Sequence, residues 1–157
     1  MGRGTSHVHR SYDFDEDSRL ETLVLNTNEF SAGWIEMQSS GIYETLWSFN
    51  LQEGGLFADG ELIDINNDSI KDIVLIPDLF SSFGEQNLIY IFLGNNIGFT
   101  SQPITIKDLI LDYTTIRPSN LALISGSTPQ LAVSIGSPVR KGLLFDIKIN
   151  DNNRASI

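Results

Sequence analysis

The chain has 157 residues, with 20 acidic against 10 basic side chains and a formal charge of −10. That length buries one sizeable core, and the charge leaves no basic stripe for a nucleic-acid backbone or an anionic membrane surface. The lack of cysteine removes disulfides, thiolate metal sites and cysteine nucleophiles together.

Met1 to Ser11 carries Arg3 and Arg10 but no apolar stretch, so it does not read as a secretory signal. Residues 1–12 read as an N-terminal tail or an incoming strand. His7 and His9, the two histidines, alternate as metal ligands on one strand face would, although a frayed terminus is the plainer reading. Beyond them, Leu23-Val24-Leu25, Ile73 to Ile76, Leu88 to Leu93, Leu131 to Ile135 and Leu143 to Ile149 are short runs rich in branched and aromatic residues. Each is bounded by Gly, Asn, Asp, Ser or Pro, and no window of about a dozen residues carries a helical stripe. The expected fold class is all-β, and no apolar run is long enough for a helix across a bilayer.

A repeat underlies these runs. Asp13-Phe14-Asp15-Glu16-Asp17-Ser18-Arg19-Leu20-Glu21 aligns without a gap on Asp64-Ile65-Asn66-Asn67-Asp68-Ser69-Ile70-Lys71-Asp72, 51 residues on, and a hydrophobic strand follows each. A third, eroded copy at Ala122 to Val133 keeps a turn and a strand but no carboxylate. The downstream segments correspond as well: Gly33 to Met37 and Tyr43 to Phe49 in the first unit, Asn87 to Leu93 and Pro103 to Ile106 in the second, Leu143 to Ile149 in the third. The units fall at about 13–55, 56–107 and 108–150, the last degenerate, and each has room for about four strands. That is the size of a β-propeller blade, so the expected architecture is a partial β-propeller of about three four-stranded antiparallel blades.

The acidic stretches place oxygens at alternate positions of a tight loop, as a hard cation with six to eight oxygen ligands needs. Positions one, three, five and nine are Asp13, Asp15, Asp17 and Glu21 in the first loop, and Asp64, Asn66, Asp68 and Asp72 in the second. The backbone carbonyls of Arg19 and Ile70 take position seven. Calcium suits such a set better than magnesium, which demands near-ideal octahedra and retains water. An EF-hand is excluded, because its bidentate Glu at position twelve is replaced by Val24 and Leu75, both inside strands. Ser18 and Ser69 stand where a glycine would give positive φ, at a cost of about 1–2 kcal/mol each if that conformation is kept. The bland alternative is a pair of acidic surface turns; two copies in register, each feeding the same kind of strand, favour up to two structural Ca²⁺ ions.

These loops, with the trailing Tyr90 to Gly98-Phe99, resemble the calcium-loop motif of FG-GAP/VCBS repeats. The resemblance covers residue 13 to about 150, with specific motifs in two of three units; the literal Phe-Gly…Gly-Ala-Pro signature is absent. It implies blades of a β-propeller, a calcium-stabilised, non-catalytic binding or adhesion role toward a protein or glycan, and an extracellular or periplasmic setting. Three units do not close a ring of four to eight blades, so further blades from a longer chain, or self-association, are expected partners. No membrane insertion and no nucleic acid are expected.

The competing function is the propeller portion of a secreted polysaccharide-active lyase or hydrolase. Nothing in the chain nominates its base or nucleophile: no Gly-x-Ser-x-Gly elbow occurs. Trp34, Tyr43, Trp47, Phe80, Phe83 and Tyr90 form either a sugar platform or core between blades, the second fitting Trp47 and Phe49 on one strand face. Pro77 to Asn87 is the longest polar insertion and the favoured contact surface.

Overall fold

The computed structural model describes residues 6–26, 31–51, 56–78 and 89–106, and strand backbone at 117–124, 130–136, 141–146, 148–149 and 155–156. Among these residues every regular element is a strand and none is a helix. The first sheet is an antiparallel meander of β1 (Ser6–Tyr12), β2 (Glu21–Asn26), β3 (Ser31–Met37) and β4 (Tyr43–Asn50). The second runs β5 (Leu56–Ile63), β6 (Asp72–Asp78), β7 (Ile89–Phe92) and β10 (Ile104–Ile106); a small hairpin of β8 (Gly94–Asn95) and β9 (Gly98–Phe99) lies between the last two in sequence. The incoming segment 6–12 is thus the first strand of its sheet.

The third sheet departs from expectation. It holds three described strands, β11 (Arg117–Ile124), β12 (Gln130–Gly136) and β13 (Lys141–Asp146), and not four. β14 (Lys148–Ile149) and β15 (Ala155–Ser156) form a separate two-stranded ribbon. Alignment of the third copy put the start of its loop at Ala122, yet Ala122, Leu123 and Ile124 belong to β11 and pair with Ala132, Leu131 and Gln130. With apolar residues where the other copies have carboxylates, the ladder simply continues. The connection shrinks to residues 125–129, which lie outside the described residues.

Alternation explains the packing. β2 and β3 bury every second residue, so Leu23, Leu25, Ala32 and Trp34 form one face. That face meets Ile73, Leu75, Tyr90 and Phe92 of the second sheet in a single cluster, with Trp47 and Phe49 against it. Trp47 and Phe49 both contact the Phe92 ring, at centroid distances of 4.7 and 4.8 Å. Each such side chain contributes roughly 1.5–3 kcal/mol through burial. In β6, Val74 and Ile76 are as inaccessible as Ile73 and Leu75, because β11 runs beside β5 and β6. A strand covered on both sides reads as an unbroken apolar run, which Ile73 to Ile76 does. The first strand of each of the three larger sheets carries a register shift, between Val8 and Arg10, Phe57 and Asp59, and Pro118 and Asn120, a bulge of the kind that bends a strand. Among the described residues no sheet closes on itself.

Candidate metal centre

The two acidic loops occupy the same place in their sheets. Residues 13–20 join β1 to β2, residues 64–71 join β5 to β6, and the flanking pairs Tyr12–Glu21 and Ile63–Asp72 are equivalent. Their backbones follow one path. Ser18 and Ser69 take the left-handed conformation at φ 71° and 73°, and Glu16 and Asn67 do so two residues earlier, at 62° and 61°. The cause is local: side-chain oxygens collect the N–H groups of the turn, as short acidic residues do. Asp13 Oδ2 and Asp64 Oδ2 accept from Ser18 and Ser69 at 3.1 and 2.9 Å. Asp15 and Asn66 accept from Asp17 and Asp68, both at 3.2 Å. Asp17 and Asp68 accept from the N–H groups of Arg19 and Ile70, both at 2.8 Å. Finally Glu21 and Asp72 accept from Phe14 and Ile65, at 2.6 and 2.8 Å.

The first loop gathers charge. Asp13, Asp15, Asp17 and Glu21 each offer an oxygen, all within 4.8 Å of one another. Glu21 is only 1% exposed, and its Oε1 receives no hydrogen bond; nor does the buried Oδ1 of Asp13. Burial pushes the Glu21 carboxyl upward against the pull of the Phe14 amide, and the charges of Asp15 and Glu36 push it the same way. The nearby cation is Arg19, which is committed to Asp17 through Nε and Nη2 and donates from Nη1 to Gln38 Oε1 at 2.8 Å. This contact holds the Asp17 carboxyl below its usual range.

Glu36 was not foreseen. It is 3% exposed and lies across the ladder from Glu21, and Arg19 Nε sits 2.6 Å from its Oε1. That single N–H is turned toward Asp17, so Arg19 meets Glu36 Oε1 as an ion pair and not as a hydrogen bond. The available signal was its parity with Ala32 and Trp34, which places an acid on the inward face of β3. Two buried oxygens without donors, on Asp13 and Glu21, within a group of four converging acids fit a hard divalent cation: the ligand atoms are all oxygen, and a cation would satisfy what no N–H reaches.

The second loop gathers no comparable group of carboxylates among the described residues. Asp72 is fully buried, and both of its oxygens are used: Ile65 N–H donates to one and Gly94 N–H to the other, each at 2.8 Å. Burial raises its pKa to about 6 in spite of those two donors, with Asp68 and Asp64 adding to the rise. Asp64 Oδ1 accepts from Asp68 N–H at 3.1 Å, and the Asn66 amide donates to Asp68 Oδ2 at 2.7 Å. Gly94 comes this close because it lacks a side chain; a Cβ there would overlap the Lys71 carbonyl oxygen and lie 2.8 Å from Ile70 Cγ2.

The remaining sequence candidates scatter. Trp34 and Tyr90 are buried and Trp47 is half-buried between the sheets, its Nε1 donating to Thr100 O at 3.2 Å, so these three are core. Tyr43 is exposed, while Phe80 and Phe83 lie outside the described residues, as does nearly all of the Pro77 to Asn87 insertion. His7 pairs with Leu25, and the register shifts between Val8 and Arg10; the side chains of His7 and His9 lie outside what the structure describes. Comparison with protein-family models, curated proteins and solved structures finds no match to this chain.

Proposed function

We propose that this chain is a calcium-stabilised, non-catalytic binding or adhesion module, a run of FG-GAP/VCBS-like blades within a β-propeller. The observation that carries the calcium reading is Glu21, buried with one oxygen lacking a donor amid the oxygens of Asp13, Asp15 and Asp17. The ion's role is structural: it neutralises the turn that joins the first two strands of a blade and fixes the angle at which β2 leaves β1. Successive antiparallel meanders packed face to face support the propeller reading. The ligand class, protein or glycan, and an extracellular or periplasmic setting rest on the resemblance of the loops. Calcium is abundant in such a setting, and a loop with serine at position six fills there.

The test is thermal unfolding of the whole chain in EDTA, then with calcium and with magnesium. Calcium at a hundredfold excess over Kd stabilises by about 2.7 kcal/mol, a rise of about 5–10 °C for a chain of this size. Magnesium should give a smaller rise. Superimposable melting curves in EDTA and calcium remove calcium from the account. A glycan array and a partner pull-down, both run with calcium, then separate the two ligand classes.

A further inference from the structure

Resting on the calcium reading above, we infer that the two loops are not equivalent sites: the first takes one divalent cation, and the second has replaced the cation with protein donors and takes none. The comparison is atom against atom. Asp13 Oδ1 is buried without a donor, whereas its counterpart Asp64 Oδ1 accepts from Asp68 N–H at 3.1 Å. Glu21 Oε1 is buried without a donor, whereas Asp72 Oδ1 accepts from Gly94 N–H at 2.8 Å. Position three is the acid Asp15 in one loop and the amide Asn66 in the other, and that amide donates to Asp68 Oδ2 at 2.7 Å.

Charge follows the same division. Around the first loop stand Asp13, Asp15, Glu16, Asp17, Glu21 and Glu36, with Arg19 the positive partner. The second has Asp64, Asp68 and Asp72 beside Lys71. In the second loop a cation would have to share Asp72 oxygens that already accept backbone N–H groups inside the core, with no converging group of carboxylates beside them among the described residues. In the first loop an incoming ion displaces no donor from Glu21 Oε1 or Asp13 Oδ1. One backbone path therefore closes in two ways, around an ion or around the Gly94 amide.

Calorimetric titration of the full chain with CaCl₂, after EDTA treatment and dialysis, counts the ions. The expected stoichiometry is one. Asp15→Asn, at an exposed position, should weaken binding at least about tenfold, as loss of one ligand charge does, and Glu21→Gln should do the same. Asp68→Asn should leave the stoichiometry and Kd unchanged within twofold. Circular dichroism of each variant shows whether it is folded, so that Asp15→Asn still decides the matter should Glu21→Gln fail to fold. Two ions, or binding lost in Asp68→Asn and kept in Asp15→Asn, overturns the inequivalence and leaves calcium stabilisation standing. No heat and no shift in melting overturns the calcium reading itself.

Discussion

The loops at 13–20 and 64–71 trace the same path through the same φ values, yet they balance their carboxylates by different means. In the second loop every oxygen of Asp64 and Asp72 meets an N–H, and the chain solves its own electrostatics. In the first, Glu21 and Asp13 each keep a buried oxygen without a donor, and Arg19 serves mainly Asp17. The difference teaches that a loop's shape and a loop's ion are separable. Shape comes from side-chain oxygens caging backbone N–H groups; the ion is needed only where carboxylates outnumber the donors that reach them.

Gly94 is the sharpest point at which to break that comparison. Counted outward from the Thr22–Ile35 and Ile73–Phe92 pairs, it stands where the first sheet has Met37. Gly94→Ala forces a methyl into the Lys71 carbonyl and pulls the amide off Asp72. Overpacking and an unsatisfied buried carboxylate together should cost about 3–5 kcal/mol in urea unfolding. Met37→Ala, at a side chain 53% exposed, should change stability by less than about 0.5 kcal/mol. Equal effects at the two positions would show that the Gly94 amide does not hold the second loop.

Next in size is Asp72. Its folded pKa of about 6 lies above the ordinary 3.8, so the native state keeps a proton that the unfolded chain releases. The stabilisation this gives is complete below about pH 4 and is lost as pH rises through 6. Asp72→Asn should flatten that part of the pH profile. It should also cost about 1–3 kcal/mol near neutrality, because one of the two N–H groups then meets an NH₂. Glu21 is shifted in the same direction, but a bound cation would favour its ionised form. Calcium should therefore remove the Glu21 contribution to the slope and leave that of Asp72. Melting temperatures from pH 4 to 7.5, with EDTA and with calcium, for wild type, Asp72→Asn and Glu21→Gln, test both statements.

Much of this was written in residue order. The branched runs between turn residues specified strands, and the two acidic stretches, each followed by a hydrophobic run, were legible as loops that feed a strand. What local pattern did not carry was any contact made across the ladder. Gly94 is 22 residues from Asp72 in sequence, and nothing between them announces a hydrogen bond. Glu36 looked like an ordinary strand acid until its pairing set it opposite Glu21. The two loops read as equals because oxygen spacing is visible along one segment, whereas the supply of donors depends on its neighbours. The eroded third copy misled for a related reason: without carboxylates, nothing distinguished the end of a strand from the start of a loop.

The smallest expected effects lie in the left-handed residues, where the loops differ at one position and agree at another. At position four the first loop has Glu16 and the second Asn67, at φ 62° and 61°. Asparagine tolerates this conformation, whereas glutamate carries most of the roughly 1–2 kcal/mol penalty of a side chain there. Glu16→Gly should therefore stabilise by about 0.5–1 kcal/mol once the greater freedom of unfolded glycine is subtracted, and Asn67→Gly by less than about half of that. At position six both residues are serine, with φ 71° and 73°, so Ser18→Gly and Ser69→Gly should give equal gains. Urea unfolding in calcium-free buffer measures all four, with Glu16→Gln as the control for removing a negative charge. A gain in Glu16→Gln matching that in Glu16→Gly would assign the effect to repulsion among the first loop's acids and not to backbone strain.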